Sequence, residues 1–173
     1  IDQFVLRGGK LMAFIDPVAE SDQSMEAMMD GMADGRASDL APLLAAWGVS
    51  YDPERVVLDS RLGMSVGRGQ GQLPARHIGW LEVEKQFMSQ DDTVTAPLQL
   101  LTLASAGSLV PMEEASTRFE PLLSSSRHSA LTPSSRFTRL EDPETLLQGF
   151  RADEQIHHFA ARLQGPASTA FPE

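Results

Sequence analysis

Cysteine is absent from the 173 residues, which excludes disulfides, thiolate metal ligands and a cysteine nucleophile but leaves both reducing and oxidising compartments open. Long apolar runs are missing too. None approaches the ~18 residues of a membrane-spanning helix, and no basic-then-apolar leader opens the chain. Positive charge is scarce: 14 Lys and Arg stand against 24 Asp and Glu, a net of −10. Such a balance repels a phosphate backbone and gives no hold on an anionic lipid surface, which argues against nucleic acid as a partner. The chain begins without Met, part-way along a helix, and is read as one domain, 1–173, cut from a longer membrane-anchored protein.

What is present divides into short apolar runs separated by turn residues. Phe4, Val5 and Leu6 followed by Gly8-Gly9 predict a helix and its stop, and the apolar run Leu11 to Ile15 breaks at Asp16-Pro17. A run without polar alternation suits a strand covered on both faces, as in a parallel sheet. Leu40, Leu43, Leu44 and Trp47 recur at helical spacing behind a capping Asp39, with Pro42 in the first turn and Gly48 as the stop. Arg55 to Asp59 reads as a second buried strand, and strand, helix and strand in that order predict a right-handed parallel unit. Further strands are expected at His77 to Val83, Leu98 to Leu103, Leu122-Leu123 and Ile156 to Leu163. The predicted fold class is therefore α/β, a layered, mostly parallel sheet flanked by helices. Leu62 to Gly71 lacks the Lys-Ser/Thr ending of a phosphate loop and reads as a flexible excursion, and the Ser-rich stretch 124–135 reads as loop.

Candidate chemistry is sparse. In an open parallel sheet ligands sit outside the carboxyl ends of the strands, a placement that gathers Asp16 and Asp59 with Arg61 beside them. Two carboxylates at one edge suit a metal, a sugar or acid and base roles. Equally, an aspartate that ends a strand accepts backbone N–H groups from the turn after it. The second account is favoured, because no third polar residue is tied to the pair by spacing. Ser105 lies outside a Gly-x-Ser-x-Gly elbow and reads as a turn serine. Adjacent His157 and His158 fall on opposite faces of a strand and cannot chelate one ion. No catalytic residue, metal set or cofactor is predicted. Met25, Met28, Met29 and Met32 recur at helical spacing in an acidic stretch, which is either a soft apolar face for a partner or a poorly ordered insertion. Calcium binding through Asp30, Asp34 and Asp39 lacks the ligand spacing of an EF-hand.

Taken in order, several short motifs carry a family likeness. Phe4-Val5-Leu6-Arg7-Gly8-Gly9-Lys10-Leu11, Asp16-Pro17, Trp47-Gly48-Val49, Val56-Val57-Leu58-Asp59, Ala160-Ala161-Arg162-Leu163-Gln164-Gly165 and Ser168-Thr169-Ala170-Phe171 resemble the extracytoplasmic domain of auxiliary components of ABC-type transport systems associated with gliding motility. The resemblance implies a flavodoxin-like or glutamine-amidotransferase-like layer structure without the catalytic cysteine. It also implies a place on the periplasmic side of the bacterial inner membrane, held there by flanking segments, and coupling to an ABC permease and ATPase. It transfers no catalytic residue. The expected function is non-enzymatic, by protein interaction or by presenting substrate to the permease. The alternative is a binding or hydrolytic domain for a glycan or another polar envelope molecule.

Overall fold

The computed structural model describes residues 1–20, 37–38, 40–69, 71–137 and 140–172. Its first element, helix α1 (Asp2–Leu6), stops ahead of Gly8 as the sequence predicts. The run that follows departs from expectation. Residues 9–16 form no strand, and Leu11, Met12 and Phe14 are exposed, Phe14 at 84%. Helix α2 (Ala41–Ala46) carries Pro42 in its first turn and buries Leu43, with Trp47 buried just beyond it. Gly48 ends it at φ +79, a conformation that suits glycine, and a Cβ there would overlap the side chain of Ala115. The predicted cap Asp39 lies outside the described residues.

Nine strands follow among the described residues: β1 (Val49–Tyr51), β2 (Arg55–Asp59), β3 (Gly63–Val66), β4 (Ala75–Glu84), β5 (Leu100–Ala104), β6 (Leu109–Pro111), β7 (Arg118–Ser124), β8 (Ser129–Pro133) and β9 (His158–Gln164). They form a four-stranded sheet in the order β1-β6-β9-β7, a three-stranded sheet β3-β4-β5 and the pair β2-β8. Every pairing is antiparallel. This overturns the expected mostly parallel α/β layers. A parallel crossover needs a dozen or more residues, usually helical, and the two described α-helices are five and six residues long. The buried run Val56-Val57-Leu58 does lie covered on both faces, but it does so as half of a β2-β8 ribbon, with Val57 opposite Leu131. Burial of a run fixes how many faces are covered and leaves the direction of its neighbour open.

The core is built around β4. Ile78 points into a cluster with Val18, Val56, Leu58, Phe137 and Leu146, while Leu81 and Val83 join Leu62, Met88 and Leu123 in a second. One strand thus serves both clusters because successive side chains leave opposite faces. Leu58 and Leu146 are almost wholly buried, so truncating either to Ala would cost about 2–5 kcal/mol. The outer edge of β7 is partly covered: Met88 bridges Leu123, and Ser89 N–H donates to Leu122 C=O at 2.9 Å. That contact brings the segment after β4 against the end of β7, beside the end of β2.

Candidate functional site

Asp59 closes β2 and is wholly buried. Its Oδ1 accepts from Arg61 N–H at 2.9 Å, Leu62 N–H at 3.0 Å and Ser126 Oγ–H at 2.8 Å, and its Oδ2 accepts from Ser126 N–H at 2.7 Å. One carboxylate therefore ties the turn after β2 to the turn after β7. Around it the serine hydroxyls that read as loop are interior. Ser125 Oγ donates to Ser126 C=O at 3.0 Å, lies 2.9 Å from Ser129 Oγ and accepts from His157 N–H at 2.9 Å; Ser129 Oγ donates to Ser126 C=O at 2.6 Å. The two adjacent histidines do face apart, His157 Nε2 meeting Asp153 Oδ2 at 3.0 Å and His158 Nδ1 meeting Ser124 Oγ at 2.9 Å. Burial, and the nearby His157, hold the His158 imidazole below the usual histidine range.

Over this network opens a groove of about 610 Å³, walled by Gln86 to Ser89 on one side and by residues from Pro121 to His128 on the other. Arg61 lies in it with its guanidinium over the ring of Phe87, 5.2 Å from the centroid. Arg127 and His128 are exposed at its rim, and among the described residues Arg127 Nη1 reaches only the Glu154 carbonyl, at 3.4 Å. Among the described residues no carboxylate pairs with Arg61 or Arg127, and no Asp or Glu lines the groove.

The sequence-nominated residues are thereby distributed as follows. Asp59 and Arg61 are together, but through the Arg61 backbone, and the Asp59 oxygens are already filled by hydrogen bonds. Asp16 ends no strand; it lies on the exposed loop before Pro17, where its N–H donates to Ser38 Oγ at 2.6 Å and its C=O accepts from Ser38 N–H at 2.8 Å. It shares no hydrogen bond with Asp59 or Arg61 among the described residues. Partial burial and the charge of Glu20 raise its carboxyl above the usual range. Met25, Met28, Met29 and Met32, and the calcium candidates Asp30, Asp34 and Asp39, lie outside the described residues. Sequence reasoning passed over Arg127 and Phe87. The one signal for Arg127 is a cation beside a histidine in a serine run of an otherwise acidic chain.

A second polar cluster forms at Glu20. Its carboxylate accepts from Trp80 Nε1–H at 3.0 and 3.1 Å and from Ser105 Oγ–H. Ser105 is wholly buried at the end of β5 with φ +47, and is indeed a turn serine rather than an exposed nucleophile. His77 stacks on Trp80 at 4.9 Å, and its Nδ1 accepts from Gly79 N–H at 3.2 Å and Trp80 N–H at 2.9 Å. Burial holds its imidazole below the usual range, against a smaller opposing pull from Glu20. Among the described residues no three His, Asp or Glu stand close enough together to hold a metal ion, and no helix is long and apolar enough to cross a membrane.

Fold and groove together define an antiparallel β-sheet domain with an open, cationic surface site. The chain matches the family described as ABC-type uncharacterized transport system over residues 1–173, and it belongs to that family. No curated protein and no solved structure matches it. The family is that of the auxiliary components of an ABC transport system, which the sequence motifs indicated.

Proposed function

We propose that the chain is a non-enzymatic, protein-binding part of an ABC transport auxiliary component, displayed on the periplasmic side of the bacterial inner membrane. There it engages the permease and ATPase subunits or presents substrate to the permease, as auxiliary components associated with gliding motility would. The observation that carries this is the family match along the whole chain. The chemistry at the groove supports it: the buried polar groups bond one another, which builds rigid walls, while the cations at the surface are left for a partner.

Membrane fractionation of the intact gene product, followed by mild affinity purification and mass spectrometry, tests this function. Co-purification of an ABC permease and ATPase is the expected outcome, and a solitary product in the soluble fraction would overturn it. The second possibility, a glycan-binding or hydrolytic domain using Asp16, Asp59 and Arg61, draws on the exposure of Arg61 in the groove. It requires that Asp16→Ala and Arg61→Ala each abolish binding of an envelope glycan with the fold intact.

A further inference from the structure

We propose that the groove beside Arg61 is a docking site for an acidic peptide segment of a partner protein. Carboxylates of the segment pair with Arg61, Arg127 and His128, and an apolar side chain of it lies against Phe87, Leu122 and Ile156. This rests on the protein-binding function above and adds the place and the chemistry.

Charge is the first ground. The chain carries 24 acidic residues and a net of −10, yet among the described residues no Asp or Glu lines the groove. The carboxylates that touch its wall residues are turned to other contacts: Asp59 holds backbone beneath, and Glu84 accepts from the Gln86 amide. An acidic ligand is repelled by most of this surface, so unpaired cations in one groove direct it there.

The donors that remain decide the class of ligand. A single phosphate is best held by hydrogen-bond donors that converge on it, but Ser126 N–H and Oγ–H are taken by Asp59, Ser125 Oγ is fully engaged and Ser124 Oγ meets His158. What is left is Arg61 on the turn after β2 and Arg127 with His128 on the turn after β7, with the Ser89 hydroxyl on the facing wall. Charges on separate turns suit carboxylates spaced along a chain. A neutral sugar would want an open aromatic face to stack on; the one Phe, Tyr or Trp ring in the groove, Phe87, is already beneath Arg61. Arg, Met and aromatic side chains beside exposed aliphatic surface, such as Ile156 at 47%, are instead the composition of protein interfaces.

Fluorescence anisotropy with a short fluorescein-labelled peptide of alternating Glu and Leu tests the proposal directly on the chain. Saturable binding is expected, and it should weaken about tenfold or more with Arg61→Glu and with Arg127→Glu, and also on raising ionic strength from about 0.05 to about 0.5 M. Arg→Lys at either position should retain most of the affinity. Arg118→Glu, at an exposed residue outside the groove, should leave it unchanged, with circular dichroism confirming that all variants fold. No saturable binding, or binding indifferent to both reversals, overturns the proposal. So does stronger competition from inorganic phosphate or a short oligogalacturonate than from unlabelled peptide. If the Arg61→Glu, Arg127→Glu double variant still captures permease and ATPase, the transport role stands and the groove loses its part in it. If the wild type captures neither, the transport role falls whatever the peptide does.

Discussion

Asp59 is the residue on which the candidate site depends, although it does not itself line the groove. Four donors converge on its two oxygens. In Asp59→Asn one oxygen can keep three of them, but the amide then sets an N–H against Ser126 N–H, donor against donor. A loss of about 2–3 kcal/mol is expected in denaturant unfolding. Ser126→Ala should cost less, since the backbone N–H bond to Oδ2 survives. Peptide affinity should fall in Asp59→Asn as well, because the turns that carry Arg61 and Arg127 lose their common tie.

Histidine sets the pH response at the same scale. His77 cannot take a second proton without losing the two N–H bonds its Nδ1 accepts, and burial disfavours the charged form of both His77 and His158. Their folded pKa values lie below the ordinary value of 6.5, so the unfolded chain binds more protons in this range. The stability they contribute is full above that value and lost as pH falls through the lowered folded values. Asp16, with a raised carboxyl, acts the opposite way: what its neutral form contributes is present in acid and lost as pH rises. That loss belongs to the lower carboxylate range. Unfolding midpoints should therefore drop between about pH 7.5 and 5.5, and His77→Asn, whose amide oxygen can accept in place of Nδ1, should flatten the slope.

At the scale of elements, β3 shows how a glycine was misjudged. Gly63 stands in a run that reads as a flexible loop, yet it is buried in a strand where a Cβ would come within 2.9 Å of Ile78 Cα and 3.1 Å of the Asp59 and His77 carbonyls. Glycine serves close approach of backbone here rather than freedom. Gly63→Ala should destabilise by about 1–3 kcal/mol, with a matching fall in the thermal midpoint.

Local pattern was legible in this chain where it is local physics that decides. The alternation around His77 to Val83 and the run at Arg55 to Asp59 each lie where the residues indicate. Partners were not legible. β8 was hidden because Ser129 and Thr132 resemble loop residues, and only the fold shows that they are buried. The run Leu11 to Ile15 was misread because apolar composition signals a wish for cover without guaranteeing a sheet to provide it. Arg61 was found by its nearness to Asp59 in the sequence; Arg127 and Phe87 join it through pairings between distant strands, which no spacing reveals.

On the scale of the whole molecule, the two ends of the described chain meet. Asp2, in α1, accepts from Thr169 Oγ–H at 2.7 Å and from Ala170 N–H at 3.1 Å, and these bonds lower its carboxyl below the ordinary range. Neighbouring ends make the fold a candidate for circular permutation. A variant with its termini joined by a short Gly-Ser linker and reopened at the exposed Glu113-Glu114 turn should fold and unfold cooperatively, with the near-native circular dichroism of the parent.

The same clasp has a mechanical consequence. Tension applied through the two ends would load the Asp2 carboxylate before any strand, so the first event on pulling is a small opening that leaves the sheets and the groove untouched. Single-molecule stretching should then record a low-force step ahead of the main rupture, and Asp2→Ala should remove that step while leaving the main peak in place. Such an arrangement lets the domain be tugged by whatever it is joined to without slackening its hold on a bound partner.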